Sequence, residues 1–442
     1  MTTDAPSSDH NLNSLIQSKR EEYVDLLRAI LSRSAEGEEA LQHEIAGHFM
    51  RLGCQVETIS SSANRFALTS DFAPPGDDPE ADRVSVVAVH PGVGDGRSLF
   101  IFAHPEGEPV ADTDTWQHDP FAGTVENGRM YGWAIADDLS GVVAMICAHD
   151  AIRAAGVELS GQITYASTVS KRRAQGIYAV LDKGYHADAA LYLHPAESGQ
   201  GLGDIKSQAS GILRFRITVR GRLPDTSEPT HTPFAHLSIN PIDKAWIVYR
   251  AITALDEQRA QRIHHPAYDE IGRSTNLHIT HIEAGDANRA GRVAPSAIMT
   301  GSLAFPPNEA MADVQRELEA TLRQASDSDP WLKQHPAQLD WLQGISGVEI
   351  SEESPIYQTV AAAIHTVTGI RPKTQSLHAA SEIRTPILYS GIPTVGFGPL
   401  SGGNTQSGGT DEWVSVDDFM NMVEVVAKVI VDWCGQFSVA GR

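Results

Sequence analysis

The amino-terminal part of the chain carries apolar side chains at the spacing of amphipathic helices. A turn-like stretch, residues 32–37, separates two such groups. The pattern therefore predicts two helices between residues 12 and 52. Their apolar positions are Leu26, Leu27, Ile30, Leu31, Leu41, Ile45 and Phe49.

From residue 83 onward the pattern changes to short apolar runs, which are typical of buried strands, and helical spacing returns between them. The predicted strands are residues 84–89, 98–103, 162–166 and 189–193, and the predicted helices are residues 138–155 and 175–182. Strands that alternate with helices predict a layered α/β sheet.

A second unit is predicted in the middle of the chain, where residues 213–219 alternate strictly between apolar and polar side chains. The order strand, helix, strand, strand, helix follows, with helices at residues 241–255 and 309–324 and strands at residues 277–282 and 298–305. We therefore predict an α/β catalytic domain, residues 1–207 and 333–442, interrupted by an inserted α+β domain, residues 208–332. The second part of the catalytic domain has apolar runs at 336–342, 356–366, 394–397 and 416–433.

Composition narrows the class of protein. The 442 residues include 34 Lys and Arg against 56 Asp and Glu, a net charge of -22 that repels nucleic acids and anionic membranes. The three cysteines, Cys54, Cys147 and Cys434, form no Cys-x-x-Cys pair, which favours a reducing compartment. The polar start of the chain lacks the basic and apolar regions of a signal peptide. We expect a cytoplasmic protein that binds neither nucleic acid nor membrane.

Two short segments carry side chains suited to metal chemistry. His104 follows the predicted strand 98–103, and Glu106, two residues later, could orient its ring. Asp137 and Asp138 enter the first turn of the next predicted helix. Taken alone, the first segment is more typical of a capped strand end and the second of a helix N-cap.

Taken with residues 116–123, 126–132 and 390–399, these segments resemble the M20 family of metallopeptidases and amidohydrolases. The resemblance covers nearly the whole chain, up to the helix entry at Asp411, Glu412 and Trp413. It implies a catalytic α/β domain, a lid domain that usually dimerises, and two divalent ions bridged by one Asp.

The resemblance carries over only some of the metal ligands. His104 matches the first His of the family, Asp137 the bridging Asp and His194 a later ligand, while Glu106 replaces an Asp. A Glu-Glu pair of the family has become Ser170 and Lys171, and its last His falls on Gly408. Both losses affect the same ion. We therefore expect one divalent ion, manganese or zinc, held by His104, Asp137 and His194.

The missing pair includes the general base of the family, so another group must take up the proton of water. Glu106 is the first candidate and Asp138 the second. Lys171 could replace the charge of the lost ion beside Ser170, or it could be a surface lysine in a basic run.

Three further residues are candidates for binding the substrate. His231, with His236 as its competitor, lies in a loop that resembles a family loop reaching a neighbouring active site. Arg292 and Arg384 could each bind a carboxylate as a planar fork, or could form surface ion pairs.

The prediction for function is hydrolysis of a C–N bond in a small, carboxylate-bearing molecule, by cleavage of an amide or by release of an amine as in M20-like aminohydrolases. We expect a homo-oligomer formed through the lid. Two alternatives stay open: a non-catalytic binding protein, and a complete two-metal site that uses His90, His118, Glu197 or His378.

Overall fold

The computed structural model describes residues 8–61, 71–72, 83–105, 110, 113–169, 175–375, 381–403 and 409–437. The chain forms two compact units. The larger unit comprises residues 1–67, 75–208 and 349–442, and the smaller unit comprises residues 68–74 and 209–348. None of the helices in the described part of the chain has both the length and the apolarity needed to cross a membrane.

A six-stranded sheet forms the centre of the larger unit. Its strands, in spatial order, are Gln55–Ser61, Arg83–His90, Ile163–Ser167, Leu99–Ala103, Ala189–Leu193 and Thr394–Phe397. The last four run parallel, and all of their residues are buried. Parallel strands buried on both faces explain the continuous apolar runs of the sequence and confirm the α/β prediction.

Helices pack around this sheet, and most of them bury an apolar side in the core of the larger unit. Ser140–Ala154 is buried nearly all round. The helices are Ser8–Ser18, Arg20–Ser34, Glu38–Arg51, Ser140–Ala154, Gln175–Asp182, Pro355–Thr368, Arg384–Ser390 and Val416–Cys434. The amino-terminal region thus contains three helices where two were predicted. The short strands Val125–Glu126, Arg129–Tyr131, Ser401–Gly402 and Trp413–Ser415 form a second sheet.

The smaller unit is a four-stranded antiparallel sheet with its own apolar core. Its strands, in spatial order, are Asn276–Ala284, Ser296–Phe305, Gly211–Arg220 and Gln338–Ile345, and its helices are Pro241–Arg262, Met311–Asp327 and Pro330–Gln334. Buried and more exposed residues alternate along Ser296–Phe305, as expected for a sheet with one face on a core. Two short strands, Gln208–Ala209 and Val348–Glu349, lie where the chain passes between the units.

The predicted boundary at residue 332 is wrong by 16 residues, because the smaller unit extends to residue 348. The strand Gln338–Ile345 pairs with Gly211–Arg220 and completes the sheet of the smaller unit. Phe72 also joins this unit through two backbone hydrogen bonds with Gly344. An edge strand with weak alternation of burial gives little sequence signal, so the sequence pattern places the end of the domain at the preceding helix.

Candidate active site

His104 lies directly after the central strand Leu99–Ala103, where the carboxyl ends of the parallel strands meet. This edge is where open α/β sheets place their ligand sites. The side chain of His104 is fully buried, and its backbone carbonyl accepts a hydrogen bond from the amide of Asp138 at 3.1 Å. The strand end and the acidic segment are therefore joined through the backbone.

The acidic segment Ile135–Leu139 precedes the helix Ser140–Ala154. Neither carboxylate caps that helix, since its N-cap is Leu139 and no side chain makes a capping hydrogen bond. Instead, the carboxylates of Asp137 and Asp138 are almost completely buried. The N-cap alternative is thereby excluded for both residues.

The side chains of these segments converge with that of His194, which follows the strand Ala189–Leu193. The Nε2 atom of His194 lies 3.0 Å from Oδ1 of Asp137 and 3.8 Å from Oδ1 of Asp138. His104 Nε2 lies 3.4 Å from Oδ2 of Asp138. Donor atoms of His104, Asp137 and Asp138 all lie within 4.8 Å of one another. Imidazole and carboxylate donors at these separations fit one divalent ion, and Asp138 belongs to this donor set.

Two residues that sequence analysis did not single out also reach this cluster. Glu382 Oε2 and Tyr192 Oη lie 3.3 Å and 3.1 Å from His104 Nε2. Burial raises the pKa of Tyr192 well above its ordinary value, so its hydroxyl keeps its proton. Tyr192 could have been found from its position two residues before His194, because such residues share one face of a strand. Glu382 had no comparable signal.

Lys206, a buried lysine that contacts His194, was also not identified by sequence analysis. Its Nζ atom lies 2.6 Å from Nδ1 of His194 and 2.9 Å from Oε2 of Glu197. Its side chain is 1% exposed. Glu197, one of the alternative ligands, thus pairs with an ammonium group.

Two other alternative ligands, His118 and His90, contact other side chains of the larger unit. His118 contacts Asp411 at 2.9 Å and Glu126 at 3.2 Å, and its ring stacks on Tyr131. The ring centroid of His90 lies 5.1 Å from that of His149. These contacts give no support to a metal site through His90 or His118. Four other predicted residues, Glu106, Ser170, Lys171 and His378, lie outside the described residues.

The predicted carboxylate-binding residues divide between the units. Arg384, in the larger unit, is buried and donates from Nη1 to the carbonyl of Ser381 at 3.0 Å. In the smaller unit, His231 and Arg292 line a cavity of about 450 Å³ together with Arg289. His231 Nδ1 accepts a hydrogen bond from the amide of Val293 at 3.2 Å.

Gly141 sets the spacing between the segments that carry the donors. A Cβ atom at this position would lie 2.2 Å from the carbonyl oxygen of Leu193 and 3.1 Å from Cβ of Ala103. Leu193 and Ala103 immediately precede His194 and His104. The absence of a side chain at residue 141 therefore lets the helix and the two strands approach this closely.

Comparison with known families finds one match that covers most of the chain. The model of "Peptidase family M20/M25/M40" matches residues 107–432. The chain is also 23% identical over 445 residues to an N-formyl-4-amino-5-aminomethyl-2-methylpyrimidine deformylase of Bacillus subtilis (strain 168), covering 97% of this chain and 98% of the relative. A deformylase of the same name from Halalkalibacterium halodurans is 23% identical over 356 residues, covering 76% of this chain and 79% of the relative.

Solved structures share the fold at lower identity. A tripeptidase from Staphylococcus aureus superimposes with a TM-score of 0.68 at 15% identity, covering 94% of this chain and 98% of the other. The YXEP protein of Bacillus subtilis, a dinuclear metal-binding peptidase, gives a TM-score of 0.60 at 14% identity, covering 93% and 98%. These likenesses concern the fold.

Proposed function

Because the chain belongs to peptidase family M20/M25/M40 and is a metal-dependent C–N hydrolase, we propose that it removes a small acyl group, in the first place formyl, from the nitrogen of a small molecule. The observation that carries the proposal is the buried cluster of His104, Asp137 and Asp138. The two relatives named as pyrimidine deformylases support the acyl group and favour amide cleavage over the release of an amine from a ring carbon.

The donor set supports the metal part of the proposal. Carboxylate oxygens can only accept hydrogen bonds, and two carboxylates, Asp138 and Glu382, lie within 3.4 Å of the same ring nitrogen of His104. Two carboxylates and an imidazole nitrogen this close together form a donor set that suits a divalent cation. Buried charges are stable only when they are paired or bind a metal. We propose a single ion, manganese or zinc, held by His104, Asp137 and His194, with Asp138 as a further donor.

When bound, such an ion polarises the scissile carbonyl and lowers the pKa of a coordinated water. The protein supplies the rest of the chemistry. Tyr192, which keeps its proton, can donate a hydrogen bond to oxygen as negative charge develops there. The described side chains of the cluster are buried, which keeps bulk water away from them. Formyl is the smallest acyl group and needs the least room in such a site. Arg384, His231 and Arg292 remain our candidates for a substrate carboxylate, and Glu106 or Asp138 for the base.

The experiment combines metal analysis with product analysis. We expect about one manganese or zinc ion per chain, and formate as product when the protein is given an N-formyl aminopyrimidine. A dipeptide of similar size serves as the matched control and should be cleaved far more slowly. Ammonia without formate would support the aminohydrolase alternative. A metal-loaded protein that binds the formyl compound without product would favour a binding protein and contradict our proposal.

Association of two or more chains through the smaller unit is also part of the proposal. Ile242 and Trp246 are 53% and 60% exposed on the helix Pro241–Arg262, and large exposed apolar side chains are typical of interfaces. Light scattering of the wild-type protein and of Trp246→Glu tests this. A monomeric wild type would contradict it.

A further inference from the structure

Glu412 is a fully buried carboxylate whose contacts go to the backbone of the acidic segment. Its Oε1 atom accepts hydrogen bonds from the amides of Ala136 at 2.7 Å and Asp137 at 3.2 Å. We propose that Glu412 is a positioning residue that holds Asp137 in the orientation needed to bind the metal ion. This inference rests on the metal site proposed above.

The backbone around Asp137 needs such an acceptor. Asp137 and Asp138 have φ values of -119° and -137°, outside the helical range, and Ala134 has a positive φ of 56°. The amides of Ala136 and Asp137 lie at the start of a helical segment, where a helix lacks the main-chain carbonyls that accept hydrogen bonds in its interior. The carboxylate of Glu412 takes their place, so the orientation of Asp137 depends on a residue far away in sequence.

The main chain of Glu412 strengthens the same connection. Its carbonyl accepts a hydrogen bond from the amide of Gly132 at 2.8 Å. The next residue, Trp413, pairs with Tyr131 in the second sheet of the larger unit. Glu412 therefore holds both ends of residues 132–137, the stretch that leads into Asp137.

Asp411 provides a matched control on the same short stretch of chain. Its carboxylate also accepts backbone hydrogen bonds, from the amides of Gln117 at 3.0 Å and His118 at 2.8 Å. These amides belong to a different loop from Asp137. Loss of the Asp411 carboxylate should therefore disturb the fold locally without changing the metal donors.

The test is a zinc titration of the full-length, metal-stripped protein in competition with a chromophoric chelator. Glu412→Met keeps the volume but removes the acceptor, and we expect it to weaken zinc binding by about 10- to 100-fold, as is usual when a group that orients a ligand is lost. Glu412→Gln keeps an oxygen acceptor and should bind within about threefold of wild type by the same argument. Asp411→Asn should also bind zinc as wild type does. Excess zinc should restore turnover to Glu412→Met.

Each outcome decides one question. Equal weakening in Glu412→Gln and Glu412→Met would show that the charge of Glu412 matters and not its positioning, which would overturn the inference. Wild-type affinity in Glu412→Met would overturn it as well. If Glu412→Met does not fold, Glu412→Gln alone supplies the test, because a folded Gln variant with greatly weakened binding contradicts the role. Failure of the wild type to bind zinc or manganese would instead refute the proposed metal site itself.

Discussion

His104 and His149 lie in the same unit and are almost equally buried, at 0% and 1% exposure, yet their neighbours differ in charge. His104 faces carboxylates of Asp138 and Glu382. His149 lies 3.5 Å from the thiol of Cys54 and 3.1 Å from the hydroxyl of Tyr165. The hydrogen-bonding neighbours of His149 are thus a thiol and a hydroxyl, whereas those of His104 include two carboxylates.

This difference decides what each cluster can do. Burial lowers the pKa of His149 to about 4 and raises that of Cys54 to about 12, so imidazole and thiol are both uncharged at neutral pH. They satisfy one another by hydrogen bonding and need no ion. Two carboxylates beside a buried imidazole are instead donors of the kind that divalent cations prefer. Burial of a histidine is therefore no sign of a metal site by itself.

The largest expected effect comes from replacing each of the two histidines, His104 and His149, with glutamine. His104→Gln should weaken zinc binding by more than about 100-fold, since loss of an orienting group alone costs about 10- to 100-fold. His149→Gln should leave zinc affinity unchanged. Both variants are titrated under the same conditions with unfolding monitored in parallel. A comparable loss in the two variants would remove the distinction between the clusters.

A substitution of Asp138 tests whether its carboxylate holds the ion or moves a proton. Asp138→Asn should weaken zinc binding by about 10-fold or more, because a donor in contact with the ion is lost. Turnover is measured at saturating zinc to separate binding from chemistry. Unchanged affinity with greatly reduced turnover would instead assign Asp138 the role of general base.

The uncharged cluster of His149, Cys54 and Tyr165, here called the neutral cluster, predicts that the free energy of unfolding depends on pH. The folded pKa of His149, about 4, lies below the ordinary value of 6.5, so the unfolded chain takes up the proton more readily. The stabilisation is complete above pH 6.5 and is lost as the pH falls toward 4. At pH 5 the loss amounts to about 2 kcal/mol. Urea unfolding at pH 7.5 and 5.0 should show this loss in wild type and a smaller one in His149→Gln; equal losses would contradict it.

The smallest expected effect is on the reactivity of the thiols of Cys54 and Cys434. Burial raises the pKa of Cys54 and Cys434 to about 12, so almost no thiolate is present at pH 8. Iodoacetamide should modify both only at the rate of global unfolding, with or without zinc. Rapid labelling of Cys54 after removal of zinc would show that the neutral cluster depends on the metal site after all.

Sequence analysis predicted best what depends on contiguous residues. The buried parallel strands appear as apolar runs, and His104, Asp137 and His194 follow strand ends or precede a helix, so their convergence could be expected from the α/β architecture. Glu382 and Lys206 approach the cluster from distant segments, and nothing in their local sequence distinguishes them from exposed charged residues. Glu412 lies in the helix entry that resembles the family, but that resemblance does not predict its contact with the amide of Asp137. The edge strand Gln338–Ile345 was assigned to the wrong domain because its partner strand lies more than a hundred residues earlier.

The absence of a side chain at Gly141 limits which substitutions this position can accept. Any other residue there would press on the carbonyl oxygen of Leu193 and on Ala103, and so would alter the distance between His104 and His194. In the proposed metal site, a substitution at residue 141 would therefore change the separation of the donors, although Gly141 itself contributes no ligand.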